Sequence, residues 1–455
     1  MRMLLIKNSI LADPASGTTR RADVLIAEGR ILKIAENLPS GTASPEVLTE
    51  MPAGAGSVSP AGLAESRENA GSREPVVLDG SGCVLAPGLI DTHVHFRDPG
   101  YTEKEDIETG ARAAKRGGFT TVVMMANTNP VIDAPELVRA NLEKGKATGI
   151  HVLQAAAVTR GMRGKELSDL EALAAAGAAC FTDDGLPITD EKLLFEALRE
   201  AAKLGLPVSL HEEDPAFIAS QGVNAGPMAE ALGLGGASAL AEEVLVARDV
   251  LLAANAGASL VIQHISSGLS VKLLRAAKSF GIENIHAEAT PHHFSLTEAA
   301  VLSHGTFARM NPPLRTEADR LEIIRGLADG TIDLIATDHA PHTTAEKNRP
   351  FGKAPSGIIG LETSLALGVT NLVRPGHLPL LELLRKMTVN PARLLGLPEP
   401  RIEAGAPADL VLFAPDETFV AGSYASKAEN SPFTGETLFA PVKATICGGK
   451  IVYKA

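Results

Sequence analysis

The amino-acid sequence predicts an α/β protein, a (β/α)8 TIM-like barrel carrying a small β-sandwich domain formed from both chain ends. Three observations predict it. Between residues 84 and 342, eight short apolar runs alternate with stretches whose apolar positions recur at three- and four-residue intervals. The two ends of the chain read instead as β-hairpins. Hydrophobic residues make up 45% but aromatics only 4%, with no Trp, so the core must be built from Ala, Val, Leu and Ile, which suits α/β packing. Periodicity alone also fits a doubly wound sheet; eight alternations over about 250 residues favour the barrel.

Taken in order, "DVLIAEGRILKIAENL" near the start is two β runs joined at Glu-Gly. The segment Ser40–Pro75, rich in Gly, Ala, Ser, Pro and Glu and without a stable period, is expected to be a flexible insertion. The barrel strands are expected at Val84–Val94, Thr120–Asn127, His151–Ala157, Ala178–Asp184, Pro207–Asp214, Ser259–Ser266, Ile285–His293 and Ile332–His342. Between them, "EDIETGARAAKRG" and "AEEVLVARDVLLAANAG" have the pattern of amphipathic helices. The closing "VKATICGGKIVYKA" is a second hairpin, joined at Gly-Gly. The expected division is 1–85 for the first part of the small domain, 86–395 for the barrel and 396–455 for the rest of the small domain.

Composition narrows the function. The net charge of −12, without a basic run or interleaved aromatics, argues against a nucleic-acid partner. Any anion site must then be made locally by a few cations. Cys83, Cys180 and Cys447 are far apart and form no C-x-x-C pair, which argues against a disulfide framework and a cysteine zinc site. The N-terminus lacks a secretory pattern and no apolar run is long enough to span a membrane, so a cytoplasmic protein without a membrane partner is expected.

The chemistry lies in the polar residues at the strand ends. In "GLIDTHVHFRDPG", strand alternation would put His93, His95 and Arg97 on one face. Such a face is also an ordinary polar surface. The pattern gains weight because Asp183 and Asp184 end the fourth predicted strand, His211 the fifth, His264 the sixth and Asp338 the eighth. In a (β/α)8 barrel those ends open onto one rim, where active sites sit. Four His and two Asp exceed the needs of one tetrahedral ion, but two ions sharing a carboxylate would use them all.

With those residues placed, the chain resembles the amidohydrolase superfamily and, within it, the bacterial dihydroorotases of class I. The ordered set "DTHVHFRDPG", "MANTNPVID", "FTDDG", "LHEED", "QHIS", "EATPHHF", "MNPPLR", "TDHAPH" and "SGIIGLET" carries the resemblance over nearly the whole chain outside the insertion. It implies Zn²⁺, two ions per subunit, with His93 and His95 on one ion, His211 and His264 on the other, Asp184 bridging and Asp338 on the first. Asp183 stands as the alternate bridge. Hydantoinases and allantoinases typically bridge with a carboxylated lysine, and "AACFTDDGLPITD" contains none.

The implied reaction is the reversible, metal-assisted interconversion of carbamoyl aspartate and dihydroorotate in pyrimidine synthesis, with Asp338 as the proton shuttle. Arg97, with its planar fork of donors, would bind the substrate carboxylate together with Asn127 and His342. His95 faces the same substrate, Asn311 would contact its ring, and Ser356 and Gly357 would offer it backbone groups. The connection after the eighth strand, "PHTTAEKNRPFGKAPSG", has the character of a lid. A homo-oligomer, and a complex with aspartate transcarbamoylase, are the partners the resemblance implies. Two other readings stay open at this point: a hydantoinase-like or allantoinase-like cyclic amide hydrolase, and a non-catalytic scaffold homologue.

Overall fold

The computed structural model describes residues 3–39 and 75–455. Apart from Pro75, the Ser40–Pro75 insertion lies outside the described residues. Five strands come first: β1 (Leu4–Asp13), β2 (Thr18–Ala27), β3 (Arg30–Ala35), β4 (Val76–Asp79) and β5 (Val84–Pro87). The turn between β2 and β3 has Glu28 and Gly29 at φ of 52° and 79°. Two consecutive left-handed residues are what a two-residue hairpin loop requires to match the strand twist, so the Glu-Gly pair sets this turn.

The barrel follows, with β6 (Leu89–Val94), β7 (Phe119–Met124), β8 (His151–Ala156), β9 (Ala178–Phe181), β10 (Val208–Leu210), β11 (Leu260–Ile262), β12 (Ile285–Ala289) and β13 (Leu334–Ile335) paired in parallel in chain order. A parallel bridge from Val94 to His339, with the His95 N–H donating to the His339 carbonyl at 2.9 Å, closes the ring. Strands covered on both faces should be continuously apolar, and β6, β7, β10, β11 and β13 are buried at every position. Some of the barrel helices begin at a side-chain cap. Asp106 accepts from Thr109 N ahead of Ile107–Gly117, and Asp190 accepts from Leu193 N ahead of Glu191–Leu204.

After the barrel come β14 (Leu410–Phe413), the isolated pair β15 (Thr418–Val420) and β16 (Thr437–Phe439), then β17 (Val442–Cys447) and β18 (Lys450–Lys454). β14, β17 and β18 join β1–β5 in one mixed sheet of eight strands, so both chain ends meet there. Leu4, Ile6, Val24, Leu85, Leu410 and Ile446 belong to its separate apolar core. No helix among the described residues is long and apolar enough to cross a membrane.

Two elements differ most from the sequence expectation. The apolar run Val84–Val94 is two strands, β5 in the mixed sheet and β6 in the barrel, parted at Gly88. Hydrophobicity does not change across that point, so no periodicity marks it. A Cβ at Gly88 would overlap the Thr120 side chain, so the close approach of the chain to β7 at this point requires glycine. The expected eighth strand is also much shorter, because its polar second half leaves the sheet at Ile335 and lines the rim.

Candidate active site

Each polar residue of the rim lies at or just beyond a strand end. His93 is in β6 and His95 follows it; Asp184, His211, His264 and Asp338 follow β9, β10, β11 and β13. Short strands let the chain turn inward there. His264 and Asp338 have φ of 29° and 49°, a region non-glycine residues enter at a cost, held by the packing around them.

The side chains converge into two groups of potential metal ligands, His93–His95–Asp184 and Asp184–His211–His264, all buried. Asp184 belongs to both. Its carboxylate lies 3.4 Å from His93 Nε2, 3.5 Å from His95 Nε2, 4.0 Å from His211 Nδ1 and 3.9 Å from His264 Nε2. Asp338 Oδ1 is 2.9 Å from His95 Nε2 and 3.6 Å from His93 Nε2. Asp183 is turned away, accepting from the Thr159 backbone N–H at 3.0 Å and from its hydroxyl.

Outer residues fix which nitrogen of each ring faces the centre. His93 Nδ1 donates to Glu288 at 3.2 Å, and Thr92 donates to the other Glu288 oxygen at 2.5 Å. His95 Nδ1 donates to Asn127 Oδ1 at 3.0 Å, while Asn127 Nδ2 donates to Asp184 at 2.8 Å. His211 Nε2 donates to Glu213 at 3.0 Å. Carboxylate and amide partners of this kind set the tautomer of a metal-binding histidine. The electron pair of His93 Nε2 then points inward, and that atom is buried without a hydrogen-bond partner among the described residues. A cation would satisfy it, so the donor set fits a metal.

The charges agree. Burial alone would raise the Asp184 carboxyl, but the imidazoles of His93, His95 and His211 hold it far below the ordinary carboxylate range. Asp338 is likewise lowered against burial, by its hydrogen bond to His95 and the charges of His93 and His95. Burial opposes protonation of His93, yet Asp184 and Glu288 raise it well above its usual value; burial and His211 push His264 well below. Two anions in a buried pocket call for compensating positive charge, from protons or from metal ions.

The substrate-side residues are brought to the same rim, with three departures, at Arg97, Gly357 and Asn127. Arg97 does not share the strand face of His95, because β6 ends at Val94 and Arg97 adopts a left-handed φ of 59°. Its guanidinium instead reaches Pro341 O and His342 Nε2, both at 3.4 Å. Contacts that long hold it weakly and leave its fork for an anion. Gly357 is not available as expected: its N–H donates to Arg309 O at 2.9 Å, and its carbonyl accepts from Lys347 at 3.0 Å and Asn430 at 3.1 Å. The Ser356 carbonyl accepts from His342 Nε2 at 2.8 Å. Burial, with Arg97 next, pushes His342 down to about 2, so its ring is neutral. Asn311 Nδ2 lies 3.4 Å from His211, and its buried Oδ1 has no partner among the described residues.

Asn127 was expected on the substrate, yet both ends of its amide are engaged by His95 and Asp184. Glu288 and Glu213 were not singled out at all. For Glu213 a signal existed, since "LHEED" places a carboxylate two residues after His211. Glu288 is separated from His93 by 195 positions, and nothing local announces the pairing.

A dihydro-orotase-like family profile matches residues 82–270, and an amidohydrolase family profile matches residues 328–453. The dihydroorotase of Clostridioides difficile is 52% identical over 453 residues, covering 100% of both chains. Those of Clostridium acetobutylicum and Lactococcus lactis are 48% and 47% identical, each covering 99% of this chain and 100% and 99% of their own. Among solved structures, an L-hydantoinase (dihydropyrimidinase) from Arthrobacter aurescens superposes with a TM-score of 0.82 at 24% identity, covering 100% of this chain and 96% of its own, a likeness of fold. With a relative 52% identical along its entire length, this chain belongs to the dihydroorotase family of amidohydrolases.

Proposed function

We propose that the protein interconverts N-carbamoyl-L-aspartate and (S)-dihydroorotate, a cyclic amide hydrolysis and its reverse, at the Asp184 cluster. The observation that carries this reading is one aspartate shared by two buried histidine groups, with a guanidinium beside them. His93, His95, Asp184 and Asp338 would hold one ion and His211, His264 and Asp184 a second; nitrogen and oxygen donors suit Zn²⁺, two per subunit. When bound, such ions supply Lewis acidity that polarises a carbonyl and makes water more acidic.

The remaining chemistry belongs to side chains. Arg97 anchors the ring carboxylate through paired N–H donors and so aims the scissile amide at Asp338. Asn311 Oδ1, a buried acceptor without a partner among the described residues, suits a ring N–H. Asp338 is the more open of the two carboxylates, its side chain 12% exposed against 5% for Asp184. It takes the proton from water during hydrolysis and returns it to the departing nitrogen; cyclisation reverses both transfers. The family resemblance further supports a cytoplasmic, homo-oligomeric enzyme, an association with aspartate transcarbamoylase, and a division into 1–85, 86–395 and 396–455 with the barrel as the catalytic body.

The test follows turnover of dihydroorotate and of carbamoyl aspartate by purified protein before chelation, after chelation and after zinc is restored. Metal-dependent turnover in both directions is expected. A folded, zinc-loaded sample inactive on both substrates would overturn the proposal.

A further inference from the structure

We propose that His151, Asp409 and Cys447 form a separate metal site on the floor of the barrel, suited to one soft divalent cation such as zinc or cadmium. One donor atom from each of the three lies within 4.8 Å of the others. His151 Nε2 is 2.9 Å from Asp409 Oδ2, and Asp409 Oδ1 accepts the Gly448 N–H at 2.6 Å, which fixes the carboxylate with one oxygen turned to the histidine. Beside them opens a cavity of about 320 Å³ that His151 and Asp409 line with Ile90, Leu153 and Pro407, giving room for water as a fourth ligand.

The site is distinct from the catalytic cluster. His151 is the first residue of β8, at the opposite end of the barrel from the rim that carries Asp184. Its donor set differs too, being nitrogen, oxygen and sulfur where the rim offers only nitrogen and oxygen, and sulfur selects softer ions. A carboxylate and a thiolate together neutralise a dication. On binding, the Cys447 thiol releases its proton to solvent, the His151 ring carries its remaining proton on Nδ1, and Nε2 and Sγ each donate an electron pair to the ion.

The three ligands come from three elements: β8 of the barrel, the residue before β14, and the last residue of β17. Asp409 also holds the sheet-switching point, its carbonyl accepting the Gly88 N–H at 2.8 Å. An ion here would clamp the C-terminal hairpin and the mixed sheet to the barrel floor. In its absence, burial and the neighbouring Asp409 carboxylate push the Cys447 thiol far up, and a cation relieves both.

The experiment strips the full-length protein with a chelator, reloads it with cobalt(II) and records the near-ultraviolet spectrum with metal content. Only a thiolate ligand gives a sulfur-to-cobalt charge-transfer band, so the rim is silent in that window. The wild type is expected to show the band, and Cys447→Ser to lose it together with one cobalt per chain while keeping turnover. His151→Ala, altering a half-exposed side chain that threatens folding little, is expected to lose the band as well. Absence of the band in wild type, or its survival in either variant, would overturn the proposal.

Discussion

Compared with its His211–His264 half, the His93–His95 half of the rim cluster has one more carboxylate, Asp338, on its inner side. Asp184 and Asp338 both lie within 3.6 Å of the His93 and His95 nitrogens, and Glu288 backs His93. The other half has Glu213 behind His211, as Glu288 stands behind His93, but on its inner side it reaches Asp184 at 3.9 and 4.0 Å, and its two rings face each other with nitrogens 3.0 Å apart. The difference teaches that the first half can hold a cation by its own charge. The second depends on the shared carboxylate.

The sharpest way to break that comparison is Asp184→Asn, which removes the anion common to both halves. Metal content is expected to fall most at the His211–His264 half, which lacks an inner carboxylate of its own, and turnover to drop on the order of ten-thousandfold, since a lost ion costs several kcal/mol of transition-state stabilisation. Elemental analysis with kcat measurement checks it; a variant that keeps both ions would show that the halves are independent. Asp338→Asn should separate chemistry from binding. Turnover is expected to fall about a thousandfold, the scale of a lost proton shuttle, while at least one ion stays bound.

Smaller effects test the outer partners. Glu288→Gln is expected to weaken metal binding at the first half about 10–100-fold and Glu213→Gln at the second, each leaving the other half closer to wild type. Competition with a chelator of known affinity reads both. If either substitution weakens the two halves equally, the division drawn above is wrong.

How visible these features were in the sequence depends on distance along the chain. The eight barrel strands and the terminal hairpins could be read because apolar period and turn chemistry are local. The convergence of His93, Asp184, His211, His264 and Asp338 on one rim followed from each sitting at the end of an apolar run. The choice between Asp183 and Asp184 was not settled by pattern, because β9 ends at Phe181 and the residues beyond it no longer alternate. Glu288, Gly88 and the His151–Asp409–Cys447 trio were invisible for a related reason, since each owes its place to residues brought close only by the closed barrel and the joined chain ends.

Arg97 shows the same limit, and gives the smallest of the predicted effects. Alternation placed it on the strand face of His95; the left-handed backbone instead swings its guanidinium to Pro341 and His342. If it anchors the substrate carboxylate there, Arg97→Lys keeps the charge but loses the fork, a change worth about 1.4 kcal/mol, or tenfold. Because the carboxylate does not change charge during the reaction, the loss falls on binding in ground and transition states alike. KM for both substrates is expected to rise about tenfold with kcat and metal content nearly unchanged. A fall in kcat at constant KM would instead mean that Arg97 acts on Asp338 and the first half of the cluster, not on the substrate.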